Sequence, residues 1–113
     1  MSAAAREVTW AGGTHVFDLN SRRVAWMLND GFPGQYGPTV AAVLRRFDEQ
    51  VYSPADIENV FRIGMLGGGM LESDVEALIE AHVRGQPLAP LALIAFGLVT
   101  AVFIGAENVD TDA

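Results

Sequence analysis

From Gly85 to Ala106 the chain runs for 22 residues without an ionisable side chain. Such a run must be buried, cross a membrane or meet a partner, because nothing on it favours water. Pro87 and Pro90 interrupt its start, so a continuous helix is expected from Pro90 to Ile104. Fifteen residues at 1.5 Å rise span about 22 Å, short of the roughly 30 Å hydrocarbon core of a bilayer. No basic flank orients the run, since Arg84 precedes it and acids come after it. The expectation is a helix that is buried or partner-facing, with no membrane span.

Charge surrounds this apolar run. The 113 residues carry 14 acidic and 7 basic side chains, a net charge of −7, yet the mean hydropathy is +0.25. All the basic residues are Arg. Residues 1–70 hold seven acids and six Arg, net −1, and residues 71–113 hold seven acids and one Arg, net −6. An acidic helix and an acidic tail therefore flank the apolar segment and favour its solubility. The balance argues against nucleic acid as a partner, because phosphate neutralisation needs clustered Lys or Arg. The apolar content argues against disorder. No Cys is present, which removes disulfides, thiolate metal sites and a Cys nucleophile. It suits a reducing, cytoplasmic setting. No targeting segment is evident at the start.

Glu7–Leu19 reads as a β-hairpin turned by Ala11-Gly12-Gly13, with His15, Phe17 and Leu19 on one strand face and Thr14, Val16 and Asp18 on the other. An isolated hairpin is marginal in water, so its apolar face must pack on the rest of the chain. The remainder reads as helices. Ser21 caps the first, which runs to Asn29 and stops at Gly31. After a Gly/Pro-rich connection over 32–38, Val40, Val43, Leu44 and Phe47 recur at helical spacing. Ser53-Pro54-Ala55-Asp56 starts a third helix that buries Ile57, Val60, Phe61 and Gly64 and ends at Gly67-Gly68-Gly69. Ser73-x-x-Glu76 reads as a capping box for a fourth, burying Val75, Leu78, Ile79 and Val83. The apolar helix is the fifth. The fold class expected is α+β, mainly α: an N-terminal β-hairpin packed on a bundle of about five helices, one domain over 1–113 with flexible ends at 1–6 and 107–113.

Candidate chemistry is sparse. Ser21, Ser53 and Ser73 have capping roles, and neither His15 nor His82 pairs with a nucleophile in the sequence pattern. Two His and scattered acids do not make a metal-ligand spacing. The glycines at 67–69 come after a helix and lack a Lys, so a tight turn is favoured over a phosphate loop, with Gly64 allowing close helix packing. No catalytic, cofactor-binding or metal-binding residue is expected, and no enzymatic activity. Glu72, Glu76 and Glu80 stand at successive i,i+4 positions, a solvated face or an acidic docking stripe. Trp26 lies off the stripe of its helix; cover by the 32–38 loop competes with a role as a binding hot spot.

Taken in order, Trp10-Ala11-Gly12-Gly13-Thr14-His15-Val16-Phe17-Asp18-Leu19, then Asp56 to Met70 with its Ile63-Gly64-Met65-Leu66-Gly67-Gly68-Gly69 core, then Pro87-Leu88-Ala89-Pro90-Leu91, resemble the small tail proteins of gene transfer agents over about residues 7–105. That family is grouped with the tail assembly chaperones of long-tailed phages. Gene transfer agents are domesticated prophages of alphaproteobacteria that package host DNA. The resemblance implies a non-enzymatic chaperone that binds the tape measure protein in the cytoplasm during tail assembly and is absent from the finished particle. A tail tube protein and a second copy of the chain are further partners, and nucleic acid and membrane are not. The alternative is a structural component of the assembled tail. The family has also carried the label of a tube protein; one hairpin plus helices, unlike the β-rich subunits of tubes, favours the chaperone. The family brings no catalytic residues.

Partner contacts are expected on the apolar helix, at Phe96, Val99 and Phe103, and around the glycine turn, at Met65, Leu66 and Met70. Trp26 and the acids Glu72, Glu76 and Glu80 complete the set. An amphipathic partner helix laid in an apolar groove is the binding mode in view.

Overall fold

The computed structural model describes residues 2–105; the acidic segment 107–113, expected to be flexible, lies outside the described residues. Two strands, β1 (Arg6–Trp10) and β2 (Gly13–Phe17), form the antiparallel hairpin, with Val8 opposite His15 and Trp10 opposite Gly13. Among the described residues there are then four α-helices: α1 (Val40–Asp48), α2 (Pro54–Gly67), α3 (Glu72–His82) and α4 (Leu88–Ile104). The α+β, mainly α architecture is as expected, but the helix count is four and not five. Ser21–Asn29 forms turns and a 3-10 segment over Ala25–Leu28. Its bonds are mixed, i to i+3 from Val24 N–H to Ser21 and from Met27 N–H to Val24, and i to i+4 from Ala25 N–H to Ser21. So short a segment has little intrinsic helicity, and the buried Val24 is pinned against Gly67.

α2 is the centre of the fold and packs against β2, α3 and α4, while α1 packs against α4. Its start is over-determined. Ser53 accepts from Asp56 N–H, Asp56 accepts from Ser53 N–H, and Pro54 occupies the first turn. Its buried face meets the hairpin in an aromatic cluster: Phe61 lies 4.9 Å from Trp10 and 5.5 Å from Phe17, centroid to centroid.

The glycines at 67–69 end α2 as expected, but Gly67 and Gly68 do more than turn the chain, and Gly64 packs on the hairpin and not on another helix. A Cβ at Gly67 would stand 1.8 Å from the Asp18 carbonyl oxygen, and one at Gly68 would stand 1.9 Å from that of Val16. Gly64 lies against the side chains of Phe17 and Leu19. The helix backbone thus touches the strand backbone. Asp18 N–H donates to the Gly64 carbonyl at 2.9 Å, which takes residue 18 out of the hairpin ladder and ends β2 at Phe17. Only Gly69, at φ 104°, acts as the turn glycine.

Two further expectations are corrected. The Ser73–Glu76 capping box does not form: α3 starts at Glu72 with no side-chain cap, because Glu76 is drawn to Arg62 across the α2–α3 interface. Residues 2–6, expected as part of a flexible arm, pack on the body. Ala4 is buried, and Ser2 donates through its amide (2.9 Å) and its hydroxyl to the buried Asp18 carboxylate.

Candidate functional site

The residues expected to meet a partner fall into three groups. Met65 and Val99 are fully buried, so they belong to the core and not to a contact surface; on α4, apolar all round, spacing alone did not separate inward from outward positions, and Met65 lies inward at the end of α2 where the chain packs on the hairpin. Leu66, Met70 and Phe96 are half-buried against that core. Trp26 and Phe103 are exposed, at 62% and 50%. The 32–38 loop does not cover Trp26; its Phe32 turns inward and is buried, and the Trp26 indole donates to the nearby Arg23 carbonyl.

The acidic stripe is divided. Glu72 is exposed. Glu76 accepts from Arg62 at 2.5 Å, and Glu80 accepts from Arg84 at 2.8 Å. Arg84 also reaches Glu58 on α2 at 3.1 Å, so a Glu76–Arg62–Glu58–Arg84–Glu80 chain of pairs ties α3 to α2. The Arg62 guanidinium holds the Glu76 carboxyl below the usual carboxylate range, and Arg62 is itself raised. Two of the three acids are therefore engaged within the chain.

The two histidines weighed for chemistry pack on Trp10. Trp10 Nε1–H donates to His15 Nδ1 at 2.9 Å, and the rings of His15 and His82 both lie edge-on to Trp10, at 6.0 and 6.2 Å. Among the described residues, no group of three or more His, Cys, Asp or Glu is placed to hold a metal ion. Nor is any helix among them long and apolar enough to cross a membrane.

What the fold does assemble is a surface on α4. Ala92, Ala95, Leu98, Val99 and Ala101 face the core. The side away from the core exposes Leu93, Gly97 and Ile104, Leu88 and Phe103 are exposed at the two ends of the helix, and Leu93 at 74% is the most exposed large apolar side chain among the described residues. A hollow of about 340 Å³ lies on one side of the Leu93 ridge, floored by Phe47, Tyr52, Ala92 and Phe96 and rimmed by Asp48 and Gln50. Phe47 stacks between Tyr52 (5.2 Å) and Phe96 (6.5 Å). A second hollow of about 350 Å³ lies on the other side, between α4 and Arg6–Val8 of β1. Of this surface, Phe96 and Phe103 were legible in the sequence. Leu93, Phe47 and Tyr52 were not singled out, since helical spacing does not say which flank of an all-apolar helix is left uncovered.

An uncharged, ridged helix face on a small acidic domain is an exposed apolar patch of the kind that protein contacts bury. A family model described as phage tail tube protein, GTA-gp10, matches residues 3–105. The chain belongs to that family of gene transfer agent tail proteins. No curated protein and no solved structure matches it. The family overturns the expectation of a tail assembly chaperone for the tape measure protein, because it is a family of tube proteins, structural components of the tail. The expectation leaned on the element content of one isolated chain, and fold content does not decide the role of a subunit. The family makes other tail proteins the partner class.

Proposed function

We propose that this chain is a structural component of the assembled tail of a phage-like gene transfer particle, acting through protein contacts without enzymatic chemistry. The observation that carries the reading is the match to the tail tube family over nearly the whole described chain. The α4 face supports it: a subunit of a polymer needs a surface that is stable in water when free and apolar enough to be buried on assembly. His15 and His82 pack on Trp10 and Ser53 caps α2, which are structural roles that suit a contact module. On this reading synthesis and assembly are cytoplasmic, with other tail proteins as neighbours. Mass spectrometry of purified particles tests this. Stoichiometric copies of the chain in intact tails are expected, and its absence from tails that are otherwise complete would overturn the reading.

A further inference from the structure

We propose that His15 is a proton-operated latch on the tip of the hairpin: its neutral ring holds the Trp10 indole, and uptake of a proton at Nδ1 releases it. The latch is a property of the fold itself and stands apart from the reading of the chain as a tail subunit.

The hydrogen bond sets the chemistry. Trp10 Nε1–H donates to His15 Nδ1 at 2.9 Å. An indole nitrogen is a donor only, and a neutral imidazole has one acceptor nitrogen. The bond therefore fixes His15 as the neutral tautomer with its proton on Nε2. Turning the ring over would set a carbon against the indole N–H in place of the acceptor. A protonated imidazole donates from both nitrogens, so Nδ1–H would point at Nε1–H. Charge on His15 and this bond exclude each other.

Position gives the bond its consequence. Residues 10 and 15 stand on opposite strands, diagonal to each other beside the turn, since Trp10 pairs with Gly13 and Val8 with His15. Trp10 is 9% exposed and is the hub of the aromatic cluster, set against Phe61 of α2, Phe17 of β2 and His82 of α3. A buried donor that loses its acceptor has to find water or another partner. His15 is half-buried, within reach of solvent protons. Its ring lies over Gly13, where an added Cβ would stand 3.3 Å from Cε1, so the turn closes that side. The charged ring leaves by rotating outward, and the tip of the hairpin loosens from α2 and α3.

The surrounding charges are otherwise engaged. β1 brings Arg6 to the strand face of His15, and its guanidinium is bound to the carbonyls of Ala3, Ala5 and Gly105; Glu7 is on the opposite face. Asp18, just beyond β2, accepts from Ser2 and Asn20. On α2, Asp56 is held by Arg46, and Glu58 and Arg62 are paired. On α3, Glu76 and Glu80 pair with Arg62 and Arg84, while Glu72 and Asp74 stand in the first turn, at the far end from His82. Among the described residues neither imidazole is in an ion pair. His82 meets Trp10 edge-on and takes no part in the hydrogen bond, so its own titration leaves the latch closed.

Nitrogen-15 NMR of the full chain from about pH 8 to about pH 5, the range in which histidine changes charge, tests the latch. The chain has two indole N–H groups, on Trp10 and Trp26, and Trp26→Phe tells them apart. The Trp10 indole signal is expected to move with the same midpoint as the His15 ring protons. Its deuterium exchange, corrected for the intrinsic effect of pH, should quicken roughly tenfold or more on the acid side. His15→Gln offers an acceptor that takes up no proton and should hold the Trp10 signal constant. His82→Gln should leave the response unchanged. A Trp10 signal that stays fixed through the whole range overturns the proposal, as does a shift that survives in His15→Gln or vanishes in His82→Gln. If His15→Gln does not fold, the unaltered chain decides: separate midpoints for Trp10 and His15 overturn the latch.

Discussion

Arg46 and Asp56 form a buried two-point ion pair, Nε to Oδ2 at 3.0 Å and Nη2 to Oδ1 at 2.7 Å, with both side chains 3% exposed or less. The remaining guanidinium hydrogens go to the carbonyls of Phe32, Gln35 and Gly37. One side chain of α1 therefore holds the 32–38 loop and the capping box of α2 together. Every donor of the Arg has a partner, which is the condition under which a buried charge is tolerated. Arg46→Met should cost about 3–5 kcal/mol in urea unfolding, because it strands the Asp56 carboxylate and three carbonyls. The combined Arg46→Met and Asp56→Leu variant should recover only part of that loss, since the loop carbonyls remain unpaired.

Glycine to alanine substitutions should change sign along the chain. At Gly67 the added methyl meets the Asp18 carbonyl, which is backbone and cannot step aside. A loss of about 3 kcal/mol is expected there. At Gly97 the space is open, and the monomer should gain about 1 kcal/mol from helix propensity. Denaturant midpoints at low protein concentration check both.

Core and surface positions on the α2 and α4 helices should separate cleanly. Met65→Ala empties a fully buried site and should cost about 2–5 kcal/mol. Leu93→Gln lies on the exposed ridge and should leave the stability of the monomer within about 0.5 kcal/mol. Thermal unfolding of dilute samples distinguishes them.

Acid should weaken the α2–α3 contact. Arg62 lowers the folded-state pKa of Glu76, so the unfolded chain takes up that proton at a higher pH than the folded one. The stabilisation is complete above the ordinary Glu value of about 4.3 and is lost as pH falls through the lowered folded value. Glu76→Gln should flatten the acid limb of a stability-versus-pH curve and leave its neutral region with the same slope.

Tyr36 should titrate above its ordinary range. Its hydroxyl donates to Glu49 at 2.5 Å, which is the main cause of the raised pKa, and its ring lies 3.8 Å from the guanidinium carbon of Arg45. Ultraviolet titration in a Tyr52→Phe background should show the raised value, and Glu49→Ala should return it toward 10, the value of a free phenol.

The local signals in the chain were strong where one short stretch carried the whole cause. Ser53-Pro54-Ala55-Asp56 contains a cap, a fixed φ and a returning carboxylate, and α2 begins where they place it. The hairpin came from alternation around two glycines, and helical period picked out Ile57, Val60, Phe61 and Gly64 of α2 and Val75 and Ile79 of α3, while it missed Ile63 and Met65 and placed the half-buried Leu78 too deep. Ser21 and Ser73 carried the same kind of signal and lost to distant partners: Val24 is held at Gly67, and Glu76 is taken by Arg62.

The glycine run shows the limit most clearly. That residues 67–69 would end a helix was readable from composition, because glycine terminates helices through its own backbone freedom. That Gly67 and Gly68 would press against the carbonyls of Asp18 and Val16 was not, since those atoms lie about fifty residues away in the chain. The same holds for α4. Its lack of charge announced a helix that would be covered on at least one side. Which side stays open depended on where α1, α2 and β1 came to rest against it, and hydrophobicity has no direction until packing supplies one.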